Sequence, residues 1–206
     1  MILLLAVYIF VLSLLFALLE IEIEGKFGWA EKLPTWYKKS GFSRIFSFFN
    51  SKKPLTGYHL FLLLFIFLIV HMSFIMGLTW SLAKELQLLA LYVIFLTLED
   101  FLWFVFNPHY GLKNFKKNKI WWHADCKWIL GLFPNVYINA VIMAGLLYYS
   151  YSYLMRDIQL FYQYFVFLGF ILVLLILSII LLSSLYKKWY FSMRKKDERK
   201  NCKIFH

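Results

Sequence analysis

Glu99 and Asp100 are adjacent carboxylates inside an otherwise apolar stretch that runs from Leu86 to Phe106. An acid at the centre of a membrane-spanning helix costs about 2.5–3.5 kcal/mol on insertion scales, which marks such a pair as functional or partnered. At ~1.5 Å per residue the pair lies roughly 9–10 Å in from Phe106. His59, a few residues beyond Pro54, lies ~7–8 Å into its own stretch by the same rise. Glu20 closes the first apolar stretch at the same end, and Glu24 follows one helical turn later. On a continuous helix Glu20 and Glu24 share a face, and Glu22 points nearly opposite. His109 and His123 belong to the segment after Phe106, which can fold back over the same place.

Carboxylates and imidazoles brought together in this way are borderline-to-hard donors suited to a divalent metal, Zn, Mn or Fe. The expected ligand set is Glu20, Glu24, His59, Glu99, His109 and His123, with Asp100 as the catalytic general base. A metal held there activates water or oxygen. The acids also sit at C-terminal helix ends, where the macrodipole is already negative, so they require compensating cations, protons or a metal. No spacing signature narrows the chemistry further. The chain has no His-x-x-x-His box, no Glu-x-x-His, no Asp-rich motif, no Gly-rich phosphate loop and no lysine within a span. His71 lies ~21 Å from the inner end, too deep to join the others.

The elements that must position these residues are membrane helices. The chain is 62 % hydrophobic with a mean hydropathy of +0.68, which a soluble domain cannot bury. Five stretches approach the ~20 apolar residues a spanning helix needs: Ile2–Leu19, Gly57–Leu78, Leu86–Phe106, Val136–Leu154 and Leu160–Tyr186. Of the 22 Lys and Arg, all but Lys84 and Arg156 fall in segments 20–56, 107–135 and the tail from Tyr186. The positive-inside rule then places the N-terminus outside and the C-terminus in the cytoplasm.

The expected fold class is therefore all-α and polytopic, a bundle of five transmembrane helices in a multi-pass cell-membrane protein. Residues 1–190 form a single domain, and 191–206 form a basic cytoplasmic tail. A short amphipathic helix near 41–50 lies in the inner interface. Asn50-Ser51 followed by Pro54 reads as the start of the second span, Gly25 as the stop of the first, and Asn107-Pro108 as the stop of the third. The first span lacks a basic n-region and a small-residue cleavage site, so it is expected to be retained.

A net charge of +11 is expected to attract anionic inner-leaflet lipids rather than nucleic acid. Cys126 and Cys202 both fall on the cytoplasmic side, where neither a disulfide nor a metal motif is expected. The expected function is a metal-dependent membrane enzyme acting on a lipid or other hydrophobic molecule at the cytoplasmic leaflet. Lys113, Lys116, Lys117 and Lys119 would face a phosphate-bearing head group. Two other readings stand beside it: a non-enzymatic scaffold or subunit, with a homo-oligomer or partner chain, and a proton or ion conduit through Glu99, Asp100, His59 and His71.

Overall fold

The computed structural model describes residues 1–50 and 52–197, and they are mostly helical. In chain order these are α1 (Ile2–Glu24), α2 (Ser43–Phe49), α3 (Gly57–Ile75), α4 (Leu82–Phe106), α5 (Asn135–Met155), α6 (Ile158–Leu177) and α7 (Ser183–Lys195). A π-helical turn, Ser178–Leu182, joins α6 to α7. Two short antiparallel ribbons complete the fold: β1 (Tyr37–Lys38) pairs with β2 (Leu55–Thr56), and β3 (Trp128–Ile129) with β4 (Phe133–Pro134).

Four helices are long and apolar enough to cross a membrane: Ile2–Glu24, Gly57–Ile75, Leu82–Phe106 and the continuous Ile158–Lys195. Their length and composition are consistent with an integral membrane protein. α5 has 21 residues and no charged side chain, but Asn135, Asn139 and its tyrosines leave it outside that set. It still packs against α4 and α6, with Ala144, Tyr148, Tyr151 and Ser152 buried.

α4 is the central helix. It packs on α1, α5 and α3, while α6 closes the bundle against α1 and α5. Leu98, Leu102 and Phe95 of α4 form the buried spine with Phe10, Phe16 and Ile21 of α1. Polar cross-links are few and directed. Ser13 Oγ donates to Phe95 O (3.4 Å), Gln87 Nε2 to Tyr148 Oη (3.2 Å), and Tyr164 Oη to Val141 O (2.7 Å). α3 leans almost entirely on α4, through Tyr92 Oη donating to Leu63 O at 3.1 Å. Outward faces are apolar and exposed, as at Leu4, Phe61, Phe65, Leu172 and Val173.

The helix ends follow local chemistry. α1 runs past Leu19 to Glu24 and stops at Gly25, whose φ of 62° suits a residue without Cβ. α4 stops at Phe106, before Asn107-Pro108. α3 starts at Gly57, as expected, but its cap is not Asn50 or Ser51. Its N-cap is Thr56, whose Oγ1 accepts from the His59 N–H at 3.1 Å. The reason is that Leu55 and Thr56 are held extended as β2 against Tyr37 and Lys38, so the helix cannot begin earlier. Ser51 lies outside the described residues.

Segments 25–56 and 107–134 knit over one end of the bundle. Asn107 Nδ2 donates to Gly25 O at 2.8 Å, and Trp29 Nε1 to Pro54 O at 3.0 Å. Gly28 is packed on the Trp122 indole so closely that a Cβ there would lie 2.0 Å from a ring carbon. The short helix expected near 41–50 forms as α2, with Phe42, Ile45 and Phe48 exposed and Ser43 and Ser47 buried. The basic tail is helical as far as Lys195, and Arg194 donates to Glu22 at 2.8 Å. Cys202 lies outside the described residues.

Candidate functional site

Where α1, α3, α4 and α5 meet under the two knitted segments, the chain encloses a cavity of about 600 Å³. α1 brings Glu20 and Glu24 to its wall. Both are buried, at 7 % and 6 % exposure, while Glu22, half a turn away, faces out to Arg194. α4 contributes Glu99, Asp100 and Trp103, α3 contributes His59, and the second loop contributes Trp122 and His123. The depth coincidence read from spacing is therefore a real convergence.

Asp100 is the carboxylate most open to the cavity, with 26 % of its side chain exposed. Its Oδ2 accepts from the Tyr137 hydroxyl of α5, and from His123 Nε2–H at 3.3 Å. On its other nitrogen, Nδ1, His123 faces Cys126 Sγ at 3.7 Å, and Trp128 Nε1 donates to its carbonyl at 3.1 Å. Burial and the nearby Lys53 hold the His123 imidazole below its ordinary pKa, with Asp100 pulling the other way. A neutral ring that donates from Nε2 to Asp100 accepts at Nδ1, the nitrogen that faces Cys126 Sγ. Cys126 is buried and does not line the cavity. It orients His123 from behind.

Lys53 supplies the cation that the acids require. It is 7 % exposed, lines the cavity, and places Nζ 4.3 Å from the Trp29 ring centroid. Burial lowers its ammonium below the ordinary value, and Asp100 opposes that shift. Trp29 in turn stacks on His59, with centroids 4.1 Å apart and planes at 21°. Thr56 Oγ1 lies 2.7 Å from His59 Nδ1 and fixes that ring from below.

Trp29 and Ala30 both adopt φ of 55°, the left-handed region. Non-glycine residues persist there only when their surroundings over-determine them. Ala30 is fully buried, its N–H donates to Glu24 Oε1 at 2.5 Å, and its carbonyl accepts from the Tyr37 hydroxyl. Glu24 thus shapes the turn that presents Trp29.

The six residues expected as metal ligands separate into two groups. Glu20, Glu24, His59, Glu99 and His123 line one cavity, but His109 does not. Its N–H donates to Asn107 Oδ1 at 2.9 Å in the turn that ends α4, and its exposed ring lies 6.0 Å from those of Tyr190 and Phe191. The Asn107-Pro108 turn directs it away. Among the described residues, no three His, Cys, Asp or Glu side chains are grouped closely enough to hold a metal ion. Glu24 and His59 are committed to Ala30 and Thr56 instead. Lys113, Lys116, Lys117 and Lys119 are exposed and do not line the cavity. His71 sits 2.9 Å from Glu85, an α3–α4 contact toward the opposite end, and is not part of the cavity either.

Lys53, Trp29, Tyr137 and Cys126 are the site residues that spacing did not single out. Tyr137 opens the fourth apolar stretch, which brings it to the same end of the bundle as Asp100 but gives no depth match from spacing.

The cavity changes character along its length. Away from the charged end its walls are mostly apolar: Leu62 and Leu63 of α3, Val93 and Leu96 of α4, and Ala140 and Met143 of α5, with Thr97 and Asn139 as polar members. α3 and α5 both line this arm, and Met143 is 45 % exposed. No protein-family model, no curated protein and no solved structure matches the chain.

Proposed function

We propose that this chain is a multi-pass cell-membrane protein that takes an amphiphile into the cavity from the cytoplasmic leaflet and acts on its polar head by acid–base chemistry. The observation that carries the reading is the cavity's polarity, charged at one end and apolar along the arm between α3 and α5. α5 joins the four more apolar helices as a fifth span, and the positive-inside rule puts the charged end and the C-terminus in the cytoplasm, with the N-terminus outside.

In this reading Asp100 is the general base. Tyr137 and His123 hold one of its oxygens and leave the carboxylate facing the head group. Lys53 balances its charge. The Glu20 and Glu99 carboxyls line the same cavity beside the base. The side chains supply this chemistry directly, and the apolar arm aligns the substrate so that its head meets Asp100.

The test is photolabelling in bilayers with an uncharged amphiphile, a monoacylglycerol that carries a diazirine in its acyl chain. Labels at Leu62, Leu63, Leu96 or Met143 are expected, with Asp100→Asn retaining the labels. Labels confined to outward residues such as Phe61 and Leu172 would remove the reading.

A further inference from the structure

Two polar atoms in the cavity wall have no protein partner. Glu99 Oε1 and Trp103 Nε1 are buried without a hydrogen bond, on side chains that are 6 % and 4 % exposed. Both side chains line the cavity. They stand four residues apart on α4, so they are neighbours on one helix face. Buried polar atoms are nearly always satisfied, and an orphan in a cavity wall points to a ligand.

The two atoms ask for different things. An indole N–H only donates, and a carboxyl oxygen accepts. An ammonium would satisfy Glu99 and leave Trp103 unpaired. An ether or ester oxygen would satisfy Trp103 and leave Glu99 unpaired. A phosphate would meet Glu20, Glu24, Glu99 and Asp100 with only Lys53 to offset them among the lining side chains. A hydroxyl donates and accepts at one atom, and carries no charge into this carboxyl-rich end.

We infer that the amphiphile is a long-chain alcohol, whose hydroxyl accepts from Trp103 Nε1–H and donates to Glu99 Oε1 while its chain fills the arm between α3 and α5. The inference rests on the amphiphile reading above and names its substrate class.

The test is competition in nanodiscs of defined phosphatidylcholine, using the full chain and hexadecanol with a mid-chain diazirine as the photolabel. Unlabelled hexadecanol is expected to displace it from cavity peptides at a mole fraction at least tenfold lower than hexadecyl methyl ether. Trp103→Phe, which keeps an aromatic ring and removes the donor, is expected to weaken labelling about tenfold. Dioleoylglycerol in the same assay tells a glyceride source, if it competes, from a single-chain alcohol, if it does not. Equal competition by alcohol and ether on the wild-type protein would overturn the alcohol assignment and leave the amphiphile reading standing. Absence of any label in cavity peptides, with outward faces labelled, would remove both.

Discussion

The Lys53 ammonium lies 4.3 Å from the centroid of the Trp29 indole, and this pairing organises the charged end of the cavity. Trp29 carries His59 on its ring, and Lys53 faces the field of Asp100. Removing one of two opposite charges that act on each other in a partly buried site leaves the survivor uncompensated. Lys53→Met and Asp100→Asn should each destabilise the protein in detergent. The double variant should lose less than the sum, by a coupling of about 0.5–3 kcal/mol. Unfolding monitored by circular dichroism measures the cycle, and strict additivity would show that the two do not interact.

Tyr137 and His123 share one oxygen of Asp100. Removing the phenol in Tyr137→Phe deletes a hydrogen bond to a charged group, worth about 1.5–3 kcal/mol. The same variant should lower turnover once a substrate is in hand, because it loosens the base without altering the apolar arm. A variant with unchanged stability would show that the phenol contributes nothing to the carboxylate.

His123 makes the charged end sensitive to acid. Its pKa is lowered in the folded protein by burial and by Lys53. A group that binds its proton less readily when folded contributes stability that is present above its unfolded value, about 6.5, and is lost as pH falls toward the folded value. Melting temperature should therefore drop as pH is taken below about 6.5. His123→Gln should flatten that part of the profile, and an identical slope in the variant would assign the acid sensitivity elsewhere.

The knit between the two capping segments depends on a glycine without room for a side chain. A Cβ at Gly28 would lie 2.0 Å, 2.4 Å and 2.6 Å from three atoms of the Trp122 ring, whereas a Cβ at Gly25 would meet nothing within 4 Å. Gly25→Ala should cost only the backbone penalty of its φ of 62° and ψ of −120°, on the order of 1–3 kcal/mol. Gly28→Ala should cost more, since a rigid indole must move, and should shift the tryptophan emission. Equal melting temperatures for the two would contradict the packing.

Much of this arrangement was legible from periodicity and depth. The alternation Glu20-Ile21-Glu22-Ile23-Glu24 implied two acids inward and one outward once α1 continued to Gly25, and the helix does so. Glu20, His59 and Glu99 were legible as a cluster because a fixed rise per residue converts sequence distance from a helix end into depth. Lys53 was hidden among the basic residues that flank a span, and only the β1–β2 ribbon shows why it folds inward. Trp29 was hidden by an aromatic content that reads as compositional bias, and its left-handed backbone has no sequence signature in a non-glycine residue. His109 was misplaced because a turn at Asn107-Pro108 can send the next residue to either side, and the Asn107 side chain decides which. The metal expectation rested on residue types, and types do not reveal that Glu24 and His59 are already engaged by Ala30 and Thr56.

The central claim, an amphiphile whose chain occupies the arm between α3 and α5, is tested most directly by native mass spectrometry of the purified protein. Wild type should carry one bound amphiphile per chain. Ala140→Trp, which fills the arm from α5, should carry none while keeping its helical circular dichroism. A wild-type protein that binds no amphiphile after reconstitution with cell-membrane lipids, or an Ala140→Trp variant that binds it equally well, would contradict the account.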